Sequence, residues 1–193
     1  MLNHINIRLV SNQVVASLFL SILCFLYFCD IRILDPNFNR WLMPGDSETY
    51  WLNWLFYQES SIFQIPIFKN FNYGMDLSST IALNDSLPIM AFIFKLFQNI
   101  LPVNSQYFGI WILICFFLQS FFAIKLLSKF SNDTYIIILY SVFFLLAPIF
   151  IWRLWGHYSL MAHWLILGLS LIHISEPTRR YASSFAVFCL KKK

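Results

Sequence analysis

Apolar residues in this chain fall into runs of membrane length, without the alternation of a half-buried strand or the stripe of a soluble helix. Residues 10 to 29 (VSNQVVASLFLSILCFLYFC), 107 to 127 and 134 to 154 each hold about 20 residues, the length that carries a helix across roughly 30 Å of hydrocarbon at 1.5 Å per residue. Three full spans are predicted, and a further apolar segment begins at residues 158 to 168. The first run ends in Phe25, Leu26, Tyr27 and Phe28, where a cleavage site needs small residues, so a retained signal anchor is expected. Residues 30 to 106 form a polar loop with two helical patterns. In Ser47 to Ser60, Tyr50, Trp51, Trp54, Leu55 and Tyr57 fall on or near one side, predicting a juxtamembrane helix that starts just after Gly45-Asp46. Residues 87 to 101 are short for a span, and Lys95, Gln98 and Asn99 share one face. An interfacial helix is expected there. Residues 63 to 84 show no alternation and read as irregular loop.

Composition sharpens the class. With 59% hydrophobic, 20% aromatic and 11% charged residues and a mean hydropathy of +0.66, the chain falls outside the soluble globular range. The fold class expected is all-α: a polytopic helical membrane protein, the N-terminal fragment of something longer, with an extracytoplasmic loop carrying juxtamembrane helices. Cys24 and Cys115 lie inside apolar runs and Cys29 has no evident partner, so neither a disulfide framework nor zinc spacing is present. Orientation follows from basic residues near span ends, which favour the cytoplasm. Arg8 places the N-terminus inside and the loop from Asp30 outside. With 87 to 101 in the interface, Lys125 and Lys129 return to the inside, and Arg153 and His157 lie outside beside the loop. A multi-pass protein of the bacterial inner membrane is the expected localisation.

Leu169 to Arg179 reads Leu-Ser-Leu-Ile-His-Ile-Ser-Glu-Pro-Thr-Arg, which resembles one translated frame of a transposase-type sequencing adapter, and Arg180 to Lys193 resembles its continuation. Residues 169 to 193 are expected to be an artefact, with the authentic chain running on from Gly168. That tail has five bases (Arg179, Arg180, Lys191, Lys192, Lys193) against Glu176, which accounts for the whole formal charge of +4. The apparent basicity therefore points to no anionic partner. A nucleic acid is not expected.

Chemistry concentrates in the loop. Residues 30 to 86 hold Asp30, Asp35, Asp46, Glu48, Glu59, Asp76 and Asp85 against Arg32, Arg40 and Lys69. Asp46 and Glu48 open the juxtamembrane helix, where two carboxylates at a wet boundary could take a proton from a hydroxyl or hold a divalent cation. The same positions suit an ordinary cap and the helix dipole. Asp85, just ahead of Leu87-Pro88, has the same two readings. Arg153 and His157 are spaced i, i+4, so a helix continued through Gly156 would set both on one face, able to hold a phosphate; a snorkelling arginine and an interfacial histidine are the plainer reading. His163 is either a metal ligand or a packed histidine, and Gln119 is expected to bond helix to helix.

The order of these features resembles the N-terminal part of the GT-C superfamily of polytopic glycosyltransferases, which take sugars from polyprenyl-phosphate donors at the extracytoplasmic face. Asp46, in Pro44-Gly45-Asp46-Ser47-Glu48, occupies the place of the first-outer-loop aspartate of that superfamily, while Leu87-Pro88-Ile89 is a degenerate form of its Pro-Pro-Leu motif. A closer likeness is to a bacterial polytopic family, domain of unknown function 6311, over residues 44 to 168. It rests on Tyr73-Gly74, Asp85-Ser86-Leu87-Pro88, Gln106-Tyr107-Phe108-Gly109, Trp152 to His157 and Ala162-His163-Trp164. The GT-C resemblance implies Asp46 as a catalytic candidate; by their own chemistry Glu48 is a second, and Asp85, Arg153 and His157 are the substrate-binding candidates, with a divalent cation as a possible cofactor. The expected partners are the bilayer and a polyprenyl-phosphate-linked sugar. A transporter or lipid flippase is the first competing reading, although such proteins carry ionisable groups at mid-membrane and repeated halves. A non-catalytic envelope assembly protein is the second.

Overall fold

The computed structural model describes residues 2–43, 45–74 and 78–175, with side chains from Asn12 to Ile174; Asp76 and most of the tail, residues 176 to 193, lie outside the described residues. The protein is mostly helical. Helix α1 (Leu2–Phe28), α2 (Asp46–Glu59), α3 (Pro88–Lys95), α4 (Phe108–Leu127), α5 (Thr134–Leu145), α6 (Pro148–Trp152) and α7 (Trp164–Ser175) follow in order. Among the described residues, α4 alone is by itself long and apolar enough to cross a membrane, and α5 with Pro148–Trp155 makes a second if that bent pair is one span.

Helix α4 is the axis, packed by α1, α5 and α7. Phe116 meets Phe25 of α1 edge-on at 6.2 Å and Phe150 of α6 at 5.1 Å, and Phe122 stacks on Trp164 of α7. The amide of Gln119 donates to the Phe144 carbonyl at 3.3 Å, the helix-to-helix bond its position predicts. Asp133 caps α5 by accepting from the amides of Tyr135 and Ile136. One helix over 134 to 154 does not form. Pro148 has no amide to donate and its ring clashes with the preceding turn, so α5 ends at Leu145 and the chain bends by 41° into α6.

The segment between α1 and α4 folds onto one end of this bundle. Its helix α2 begins at Asp46, as predicted, but the aromatic face turns inward: Trp54 and Tyr57 are fully buried, and the indoles of Trp51 and Trp54 both donate to the Ser105 carbonyl. Residues 63 to 84 are not wholly irregular. Strands β1 (Lys69–Asn70) and β2 (Ser79–Thr80) pair antiparallel, a ladder too short to show alternation. The Asn70 amide fastens them to α2 through the carbonyl and the side-chain oxygen of Asn53. Gln106 ties the segment to α4. Its amide donates to the carbonyls of Ile33 and Asp35 at 2.7 and 2.9 Å, and its side-chain oxygen accepts from Gly109 at 3.1 Å.

The interfacial helix expected over 87 to 101 is only α3, followed by turns. Its polar face does not lie on water. Lys95 is fully buried, donating from Nζ to Ser60 Oγ at 2.6 Å with its charge 3.7 Å from the centre of the Tyr57 ring. Burial pushes this ammonium down to about 8 from 10.5. Below pH 8 folded and unfolded chains both carry the proton, and the folded one bears the whole cost of an interior charge. Between 8 and 10.5 the unfolded chain binds more protons, so stability rises with pH. Lys95→Met is therefore expected to stabilise the fold by about 2 kcal/mol at neutral pH, with the gain fading as pH approaches 10.5. Thermal unfolding at pH 7 and pH 10 checks this, and a gain that grew with pH would refute it.

Candidate functional site

Four stretches of chain, the last two adjacent in sequence, meet at the end of α4 that carries Phe108. The first is the start of α2. Gly45, at φ +74°, supplies the left-handed turn before the helix, so Asp46 is the first helical residue rather than its cap, and its exposed carboxylate bonds to no amide of that turn. The next residue, Ser47, is buried, with its hydroxyl 2.8 Å from the Tyr158 hydroxyl. Glu48 is half-buried and makes no recorded contact with the other candidates.

The second segment carries Asp85, and of its two readings the cap is not the one found. Leu87, at φ +54°, precedes Pro88 and caps α3 without a side-chain bond. Asp85 turns toward the third and fourth segments: one carboxylate oxygen accepts both the amide of Ser159, at 3.2 Å, and its hydroxyl, and the other lies 3.6 Å from His157 Nδ1. Ser86 anchors this geometry from behind. Its hydroxyl donates to the Tyr50 carbonyl at 3.0 Å and accepts from Asn53, while its carbonyl accepts the Tyr107 hydroxyl.

The last two segments are Arg153 and the turn after it. The continuous helix that would align Arg153 with His157 does not exist: the chain tightens to a 3₁₀ turn over Arg153–Trp155 and Gly156 leaves it at φ +123°. A β-carbon built at Gly156 would come within 4.0 Å of Asp46 Cβ and 3.8 Å of Ser47 Oγ, so this turn sits directly on the start of α2. His157 follows at φ −128°, ψ 64°, outside any helix, and that backbone carries its ring to Asp85. Arg153 Nε is buried without a hydrogen-bond partner. His163 lies with its ring 6.0 Å from Phe150, as a packed histidine would.

Asp85 and His157 thus meet, Arg153 lies within electrostatic reach of Asp85, and Asp46 sits beside the Gly156 turn. Electrostatics couples them. Burial raises the Asp85 carboxyl, while the Ser159 amide, His157 and Arg153 act to lower it. Burial and then the charges of Asp85 and Asp46 push the Tyr50 phenol up, which puts both carboxylates within one electrostatic neighbourhood. Among the described residues no group of three or more His, Cys, Asp or Glu side chains gathers to hold a metal, so a divalent cation gains no residue set here. Beside the site, Phe28, Trp41, Ile112, Leu154, Trp155 and Tyr158 line most of a cavity of about 420 Å³ whose edge includes Ser47. Ser47, Tyr50, Tyr158 and Ser159 were missed by sequence reasoning, and no spacing marks them, because each acquires its role only through long-range contact.

A family model for a domain of unknown function, DUF6311, matches residues 18–191. No curated protein and no solved structure matches the chain.

Proposed function

The chain belongs to the DUF6311 family, and from that premise we propose that it is an integral membrane glycosyltransferase of GT-C-like organisation, using a polyprenyl-phosphate sugar donor. In this reading the protein sits in the bacterial inner membrane with its N-terminus in the cytoplasm, and the pole bearing Asp46 faces outward. The observation that carries it is the Asp85–His157 pair beside an arginine whose buried Nε has no hydrogen-bond partner, next to an apolar cavity that shares Ser47 and Tyr158 with the site. A lipid phosphate ester needs both halves: an apolar seat for its chain and cations for its head.

The chemistry follows from the residues. An acceptor hydroxyl gives its proton to Asp46, and its oxygen bonds to the anomeric carbon. The bond from that carbon to the phosphate oxygen breaks, and the phosphate leaves with the electron pair, facing Arg153 and His157. The test is to incubate the full chain in proteoliposomes with farnesyl-phosphate hexoses and native membranes as acceptor source. Chain-dependent release of farnesyl phosphate with labelled product is expected. Movement of the donor across the bilayer without any release would instead support a flippase.

A further inference from the structure

We propose that Asp85 and His157 form a proton-donating pair for the departing phosphate, with His157 the catalytic acid and Asp85, braced by Ser159, its positioning residue; this rests on the glycosyl-transfer reading above. Asp85 lies two residues before Leu87, the cap of α3, and its carboxylate is turned away from that helix. Its carboxylate is instead committed on both sides, to Ser159 through the backbone amide and hydroxyl and to His157 Nδ1 at 3.6 Å. The Asp85 side chain is 13% exposed against 43% for His157, so the imidazole and not the carboxylate is presented to a ligand. With Nδ1 turned inward, Nε2 is the nitrogen left to face outward. An aspartate behind Nδ1 holds the ring in one orientation, and the protonated imidazole is the form that can give up a proton. An approach of about half an ångström would close the Asp85–His157 contact into a hydrogen bond, a tightening common on substrate binding.

The neighbours suit this assignment. Arg153 adds positive charge beside the pair and would resist a second cation were Asp85 not there. Tyr50 and Tyr158 face it from α2 and from the turn after Gly156, Asp46 lies across the start of α2, and His163 stands beyond Arg153. The step balances. As the bond between the anomeric carbon and the phosphate oxygen breaks, that oxygen keeps the electron pair and takes the proton from Nε2. The acceptor's proton goes to Asp46, and water returns one proton to His157 and removes one from Asp46.

The experiment uses the full chain in proteoliposomes, with farnesyl-phosphate hexoses as donor. His157→Ala is expected to lower kcat about 100-fold, and added imidazole is expected to restore part of it. His157→Gln, which fills the same space without a proton to give, is expected to stay inactive in imidazole. Asp85→Asn is expected to lower kcat about tenfold with KM unchanged and to alter the alkaline limb of the pH–rate profile. Failure of imidazole to restore His157→Ala, or an Asp85→Asn variant with raised KM and full kcat, would overturn the pairing while leaving the glycosyl-transfer reading in place. Absence of turnover in the unaltered chain would overturn both.

Discussion

Asp46→Asn is expected to lower sugar transfer about 1,000-fold, in line with removal of a general base, while leaving thermal unfolding almost unchanged. Structure and function separate cleanly at this position. The side chain is exposed and satisfies no amide of its own helix, the cap position being held by Gly45. Its backbone carbonyl accepts the Thr49 hydroxyl at 2.7 Å, a bond that asparagine keeps. Loss of a negative charge from the first turn of a helix costs about 0.3–1 kcal/mol, too little to unfold the chain. Glu48 provides the internal control. Two residues further along an α-helix point about 200° around the axis, so Glu48 and Asp46 cannot serve one substrate atom. Glu48→Gln is expected to transfer sugar within a few-fold of the unaltered chain. Full transfer by Asp46→Asn would remove Asp46 from the mechanism.

Gly109→Ala is expected to cost about 3 kcal/mol or more and to abolish the folded species in detergent. Gly109 lies in the first turn of α4, where the chain after α1 crosses it. A β-carbon there would stand 1.8 Å from the Ile33 carbonyl oxygen and 2.5 Å from its carbon, both backbone atoms that no side-chain rotation can clear. The collision also reaches the bonds of Gln106, which donates to that same Ile33 carbonyl and accepts from the Gly109 amide. Thermal unfolding of the two proteins side by side decides it. Equal midpoints would mean that the backbones do not approach this closely.

What was legible in the sequence depended on how local the cause was. Helix α4 occupies nearly the residues expected, because a twenty-residue run interrupted only by Gly109, Gln119, Ser120 and Lys125 is apolar enough to favour a helix without help from elsewhere. The start of α2 was equally plain from Gly45 and the acids that follow it. Pro148 was in view too, but a hydropathy average over twenty residues passes through a proline that the backbone cannot pass without bending. Lys95 shows a different limit. Periodicity reveals that a helix has a polar face and does not say whether water or Ser60 and Tyr57 will meet it. Asp85 was ambiguous for the strongest reason: its partner Ser159 lies 74 residues away, and no local rule distinguishes a capping aspartate from one turned to another segment.

The break before Pro148 bears on the bilayer itself. Twelve residues of α5 rise only about 18 Å, well short of the roughly 30 Å of hydrocarbon that a lone spanning helix must match. In the membrane reading, the remaining depth falls to the bent stretch from Pro148 to Trp155, which leans away from the α5 axis, and the Phe144 carbonyl that Pro148 has no amide to serve is met instead by the Gln119 amide. Lipid will not solvate bare carbonyls. The bond from Gln119 on α4 therefore lets α5 end and the chain turn within hydrocarbon without drawing water to the kink.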